Sequence, residues 1–96
     1  MSDMELTPEM ERRLSESRQM IRKAIEMSYG CYVEQEATKA DSWRDQTFWQ
    51  LASHLGHEAE EIKRSVGSKT KLIHNGMDCV ALGLMILAKA LEEDAA

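Results

Sequence analysis

The chain has 96 residues and a mass of 10.9 kDa, is 43% hydrophobic and 30% charged, and carries five Gly and one Pro; this leaves room for one domain with little loop and excludes a multidomain enzyme. Seventeen acids against twelve bases give a formal charge of −5 and a pI near 5.1, a field that repels a phosphate backbone, so no nucleic-acid partner is expected. The longest apolar run, Cys79 to Ala88, is ten residues, short of the roughly 20 that a spanning helix needs, and no membrane association is expected.

The opening Met1-Ser-Asp-Met-Glu has neither the basic start nor the apolar core of an export signal. Cys31 and Cys79 lie far apart with no metal-type pairing, the pattern of a cytoplasmic protein with reduced thiols. Thr7 followed by Pro8, Glu9 and Glu11 supplies an N-cap, a favourable first helical residue and acids at the positive end of a helix dipole. Met10, Leu14, Ile21 and Ile25 then recur at helical spacing and predict a first helix as far as about Ser28. Tyr29 to Ala40, with Gly30 and mixed charge, reads as a connector, in which Cys31-Tyr-Val can extend or dock locally against the bundle.

Asp41 or Ser42 can cap a second helix, whose stripe is Phe48, Leu51, Leu55, Ala59 and Ile62, and Gly67 stops it. Ser68 or Thr70 starts a third, with Ile73, Met77, Val80, Leu84, Leu87 and Leu91 down one side and Asn75, Asp78, Leu82 and Met85 on another. A helix apolar on both sides must be covered on both sides, and three short helices in one subunit can barely do that. A chain of this size also buries only about 60–70% of its unfolded surface. The expected architecture is therefore all-α: a single domain over residues 1–96, a compact helical bundle of three main helices completed by homo-oligomerisation as a homodimer or homotetramer.

The chemistry concentrates in His54-Leu-Gly-His57-Glu58-Ala-Glu60-Glu61 and Asn75-Gly-Met-Asp78. Residues three apart on a helix lie about 60° from each other, so Glu58 and Glu61 can reach one hard cation. Asn75 and Asp78 repeat that spacing, and an antiparallel hairpin turning near Gly67 brings the two pairs together. Four oxygen ligands of this kind suit Mg2+. Acidic pairs at this spacing are also common on solvated faces. Against that, Glu58 borders the apolar stripe and Asp78 sits one turn before Leu82, and an unpartnered buried carboxylate costs several kcal/mol, which a shared cation offsets. Glu60 points further out and reads as solvated.

This arrangement resembles the MazG-like all-α nucleoside triphosphate pyrophosphohydrolases, whose signature is a Glu-x-x-Glu pair followed by a Glu-x-x-Asp pair on the next helix. Glu58-x-x-Glu61 and Asn75-x-x-Asp78 stand in those places; Lys39-Ala-Asp-Ser-Trp43-Arg44 looks like the entry motif of one branch, and Asp78-Cys-Val-Ala-Leu-Gly-Leu-Met-Ile like the helix after the family's aspartate. The resemblance covers about residues 39–91. It implies Mg2+ held by Glu58, Glu61, Asn75 and Asp78, with Glu58 and Glu61 catalytic. It further implies a nucleoside triphosphate split into monophosphate and pyrophosphate, with Trp43, Arg44 and Lys71 as substrate contacts. Asn75 stands where the family has Glu, replacing a charged ligand by a neutral amide oxygen, and His57 stands where many members have another Glu.

Other readings compete at several of these residues. His54/Glu58, His57/Glu61 and His74/Asp78 are each four apart, a spacing open to zinc or di-iron but equally that of metal-free helix pairs. Trp43 and Trp49 suit base stacking or packing, and Lys39, Arg44, Lys69 and Lys71 suit phosphates or solvent. Cys79, inside an apolar run, reads as a small core residue rather than a nucleophile. The alternative from another class is a catalytically inactive helical oligomerisation protein that keeps this fold.

Overall fold

The computed structural model of the chain describes residues 5–95. The segment 1–4, on which most of the export-signal reading falls, lies outside them. Thr7 caps α1 (Pro8–Lys39) through its Oγ1, which accepts from the Met10 N–H at 3.1 Å. The helix does not end near Ser28 but continues through Gly30 and the whole expected connector. Its second half is held by Ser28, Cys31, Tyr32 and Gln35, which recur at helical spacing and are more buried than their neighbours. These side chains are mostly polar, so an apolar period does not reveal the face, and packing outweighs the cost of Gly30, about 1 kcal/mol in a helix interior. Ala40, with φ of 48°, turns the chain out of the helix.

Ser42–Asp45 form a short 3-10 helix rather than the start of the second α-helix, and Asp41 makes no side-chain cap. α2 (Phe48–Arg64) begins later, at a reciprocal capping box. Thr47 Oγ1 accepts from the Gln50 N–H at 3.1 Å, and Gln50 Oε1 accepts from the Thr47 N–H at 2.8 Å. The chain turns through Ser65, Val66 and Gly67, and Ser68 rather than Thr70 caps α3 (Lys69–Ala95), its Oγ accepting from the Lys71 N–H at 3.3 Å.

α3 packs against both α2 and α1. Its inner face carries Ala81, Leu82 and Met85, which with Leu51 of α2 form the buried apolar core, bordered by Tyr32, Trp43, Leu55 and Ile86. The other stripe of α3 is the outer one: Ile73, Val80, Leu84, Leu87 and Leu91 are 38–59% exposed. Met10, Leu14, Ile21 and Ile25 of α1 are exposed as well. The all-helical architecture is as the sequence predicts, but one chain does not reach compactness. Its radius of gyration is 16.8 Å, against about 12–13 Å for a compact domain of this length. Its surface of 7725 Å² exceeds the roughly 5,600 Å² of a compact monomer of this mass. Taken over Lys69–Glu93 rather than over its longest unbroken run, α3 is long and apolar enough to cross a membrane by length and composition.

Candidate functional site

The hairpin of α2 and α3 and the end of α1 border a half-open cavity of about 300 Å³. Glu58 of α2 and Asp78 of α3 both line it, together with Trp43 and Lys39. The antiparallel pairing that sequence spacing calls for thus brings one carboxylate from each helix to a common space. Both are largely withdrawn from solvent, Glu58 with 17% and Asp78 with 22% of its side chain exposed. Each is attended by a histidine one turn before it: His54 Nε2 is 3.5 Å from Glu58 Oε1, and His74 Nε2 is 3.4 Å from Asp78 Oδ2. Both histidines also line the cavity.

The remaining members of the expected ligand set are directed elsewhere. Glu61 is not in the cavity lining; its carboxylate lies 3.5 Å from Arg64 Nη1 and 3.8 Å from His57 Nε2. Asn75 also lies outside the lining, and its Nδ2 donates to Ser65 Oγ at 2.7 Å and to the Glu61 carbonyl at 3.4 Å. Among the described residues, no three His, Cys, Asp or Glu side chains converge closely enough to hold a metal by themselves. Two carboxylates remain at the cavity, a donor set that fits Mg2+ where waters and substrate phosphates complete its shell.

Of the expected substrate contacts, Trp43 borders the cavity, its Nε1 donating to Tyr32 Oη at 3.1 Å with the two rings edge to face. Arg44 lies in a separate, more open depression and pairs with Asp41 at 3.6 Å. Lys71 is exposed and lines neither space.

Cys31, Tyr32 and Gln35 have no place at the site in the sequence reading, which gives Cys31-Tyr-Val only a local docking role, and the structure brings them to this region. Cys31 Sγ donates to Asp78 Oδ1 at 3.7 Å, and Gln35 Nε2 donates to Cys31 Sγ at 3.6 Å. The signal for them is the spacing Ser28, Cys31, Tyr32, Gln35, Lys39, one side of a helix written in polar residues. Burial first, and then the negative charge of Asp78, pushes the Cys31 thiol above its ordinary pKa. Burial, followed by the charges of Glu58 and Asp78, does the same to Cys79. Both thiols are therefore held protonated beside the carboxylates, which suits packing and hydrogen bonding rather than nucleophilic attack.

No family model matches the chain, and neither does any curated protein or solved structure.

Proposed function

We propose that the chain is a magnesium-dependent nucleotide pyrophosphohydrolase, cleaving a nucleoside triphosphate to monophosphate and pyrophosphate as a cytoplasmic homodimer or homotetramer. The observation that carries this reading is the pair of shielded carboxylates, Glu58 and Asp78, on two helices around one cavity. Glu58 and Asp78 would hold Mg2+, which when bound neutralises phosphate charge and lowers the pKa of water. His54 and His74 orient the two carboxylates by the contacts described above. Lys39 contributes a cation at the cavity for phosphate, and Trp43 offers an aromatic edge for a base.

A second reading, an inactive helical oligomerisation protein of the same fold, draws support from one observation. The Asn75 amide is committed to Ser65 and Glu61 is engaged by Arg64, so half of the four-residue ligand set has other partners. The two readings separate in a screen of nucleoside triphosphates with millimolar Mg2+, monitored by pyrophosphate release. The hydrolase reading expects turnover with at least one triphosphate, and its loss by about 100-fold or more in Glu58→Gln and Asp78→Asn. Background rates with every triphosphate, and the same rates in both variants, would establish the inactive reading.

A further inference from the structure

We propose that Lys89 of α3 is a positioning residue of the cavity: it clamps the Ser42–Asp45 turn from the outer side, so that Trp43 stands as a fixed wall for the base of the nucleotide. The inference rests on the nucleotide reading given above and adds to it a residue that lines the neighbouring depression rather than the cavity itself.

Local preference alone does not fix residues 40–46, which join α1 to α2. Ala40 enters the segment at φ 48° and ψ −132°, a conformation that suits glycine and strains a residue with a Cβ. Inside the turn, the Arg44 N–H donates to the Asp41 carbonyl at 2.9 Å and the Gln46 N–H to the Trp43 carbonyl at 3.2 Å. These bonds shape the turn but do not place it on the helices. Among the described residues, two side-chain hydrogen bonds do that, one from each flank. Trp43 Nε1 donates to Tyr32 Oη of α1 at 3.1 Å, and Lys89 Nζ donates to the Arg44 carbonyl at 2.9 Å. The first holds the tip of the indole and the second the backbone next to its Cα. One bond alone would leave the ring free to pivot about its end; the two together set its plane.

Lys89 directly follows the apolar run of α3, and its side chain is only 18% exposed. A shielded ammonium is costly unless it is paired, and three groups attend this one. Besides the Arg44 carbonyl they are Glu93 Oε1 at 3.7 Å and the face of Phe48, whose ring centre lies 5.5 Å from Nζ, within cation–π reach. Phe48 is the first residue of α2, so one cation of α3 joins the turn to the helix that follows it.

The place of this tie relates it to the site. Tyr32 and Trp43 line both the cavity and the depression. They form a partition, with Lys89 on one side and Glu58 and Asp78 on the other. Swinging Trp43 away would merge the two spaces and remove the aromatic surface on which a base can lie. Holding it in place before the ligand arrives spares the cost of ordering it on binding. A tie that served stability alone would affect all ligands of the cavity alike, or none; one that sets Trp43 affects those with a base.

Lys89→Met tests this, since it keeps a long apolar stem beside Phe48 and removes the donor, with Lys89→Arg as the conservative control. In Lys89→Met the Arg44 and Gln46 amides should exchange hydrogen about tenfold faster, the loss of one charge-assisted bond, while amides at the centres of α2 and α3 keep their rates. In a Trp49→Phe background Trp43 is the only tryptophan, and its emission should shift to longer wavelength. For a triphosphate that the parent hydrolyses, KM should rise by about fivefold or more with kcat within about twofold. Inhibition by inorganic tripolyphosphate, which has no base, should stay within about twofold of the parent. Lys89→Arg should return all of these towards parental values. Unchanged exchange at Arg44 and Gln46, an unmoved KM, or faster exchange throughout the chain would overturn the proposal. So would equal weakening of triphosphate and tripolyphosphate, which would mean that Lys89 acts by its charge on phosphate. If the parent hydrolyses no triphosphate, the nucleotide reading fails by itself, and exchange and emission still decide whether Lys89 fixes Trp43. If Lys89→Met does not fold, the parent decides: its Lys89 ammonium protons should exchange with water more slowly than those of exposed Lys71, and equal rates would overturn the tie.

Discussion

The Nδ2 of Asn75 donates to Ser65 Oγ at 2.7 Å, and that hydroxyl in turn donates to the Glu61 carbonyl. Ser65 is only 2% exposed, so this chain of bonds ties the second turn of α3 to the last turn of α2 and fixes the register of the hairpin. Removing either partner breaks this bond but leaves the survivor its contact with the Glu61 carbonyl. Asn75→Ala and Ser65→Ala should each destabilise the fold by about 0.5–1.5 kcal/mol in urea unfolding. Because they share one contact, the double variant should lose less than the two together, with a coupling of about 0.5–2 kcal/mol. Strictly additive losses would show that the contact contributes nothing of its own.

The same contact determines what Asn75→Glu does. A carboxylate at residue 75 cannot donate to Ser65 and adds charge near the Glu61 carbonyl, so without metal the variant should be less stable by about 1–3 kcal/mol. If Glu58, Glu61, Asp78 and the new carboxylate share a cation, each tenfold gain in Mg2+ affinity returns about 1.4 kcal/mol at saturating metal. The melting temperature of the variant should then rise further on adding millimolar Mg2+ than that of the parent. An equal deficit with and without Mg2+ means that these side chains do not converge.

Lys39 and Lys71 both look like phosphate contacts in the sequence, but only Lys39 lines the cavity. Lys39→Ala should raise KM for a triphosphate by about tenfold, the loss of one charge-assisted contact of about 1.4 kcal/mol, with little change in kcat. Lys71→Ala should leave KM within about twofold. The reverse ranking in steady-state kinetics would move the triphosphate from this cavity towards the start of α3.

Legibility differed from element to element for physical reasons. Thr7, Pro8 and Gly67 mark their boundaries because caps and turns act locally, and a short sequence window contains the whole interaction. The Thr47-x-x-Gln50 box was equally local, yet Asp41 and Ser42 offered a rival cap a few residues earlier, and only the fold shows that they serve a 3-10 turn. The second half of α1 was hidden because its packed face is Ser28, Cys31, Tyr32 and Gln35, which carry no apolar signal. At the site, periodicity sufficed to bring Glu58 and Asp78 near one another. It could not show that Asn75 turns to Ser65 and Glu61 to Arg64, because those choices depend on the hairpin's offset and on side chains across it. Nor could a stripe on α3 reveal which of its two apolar sides the subunit covers, since both have the right period.

The thiols give a pH dependence with a definite sign. Cys31 and Cys79 both have pKa values raised above the ordinary thiol value, chiefly by burial and then by neighbouring carboxylates. A raised pKa means that the folded chain keeps these protons after the unfolded chain has begun to lose them. Their contribution is therefore fully present below the unfolded value and is lost as pH climbs from there through the folded values. Stability should fall as pH rises above about 8.5, and less so in Cys31→Ala. Asp78→Asn removes the negative charge that helps hold the Cys31 proton and leaves only a weaker, neutral amide acceptor in its place. In a Cys79→Ser background, it should move the pH midpoint of Cys31 labelling by a disulfide reagent downward, so that labelling at pH 8 becomes faster. An acceleration of the same size at every pH would instead report opening of the α1–α3 contact, and an unmoved profile would mean that Asp78 does not face this thiol in solution.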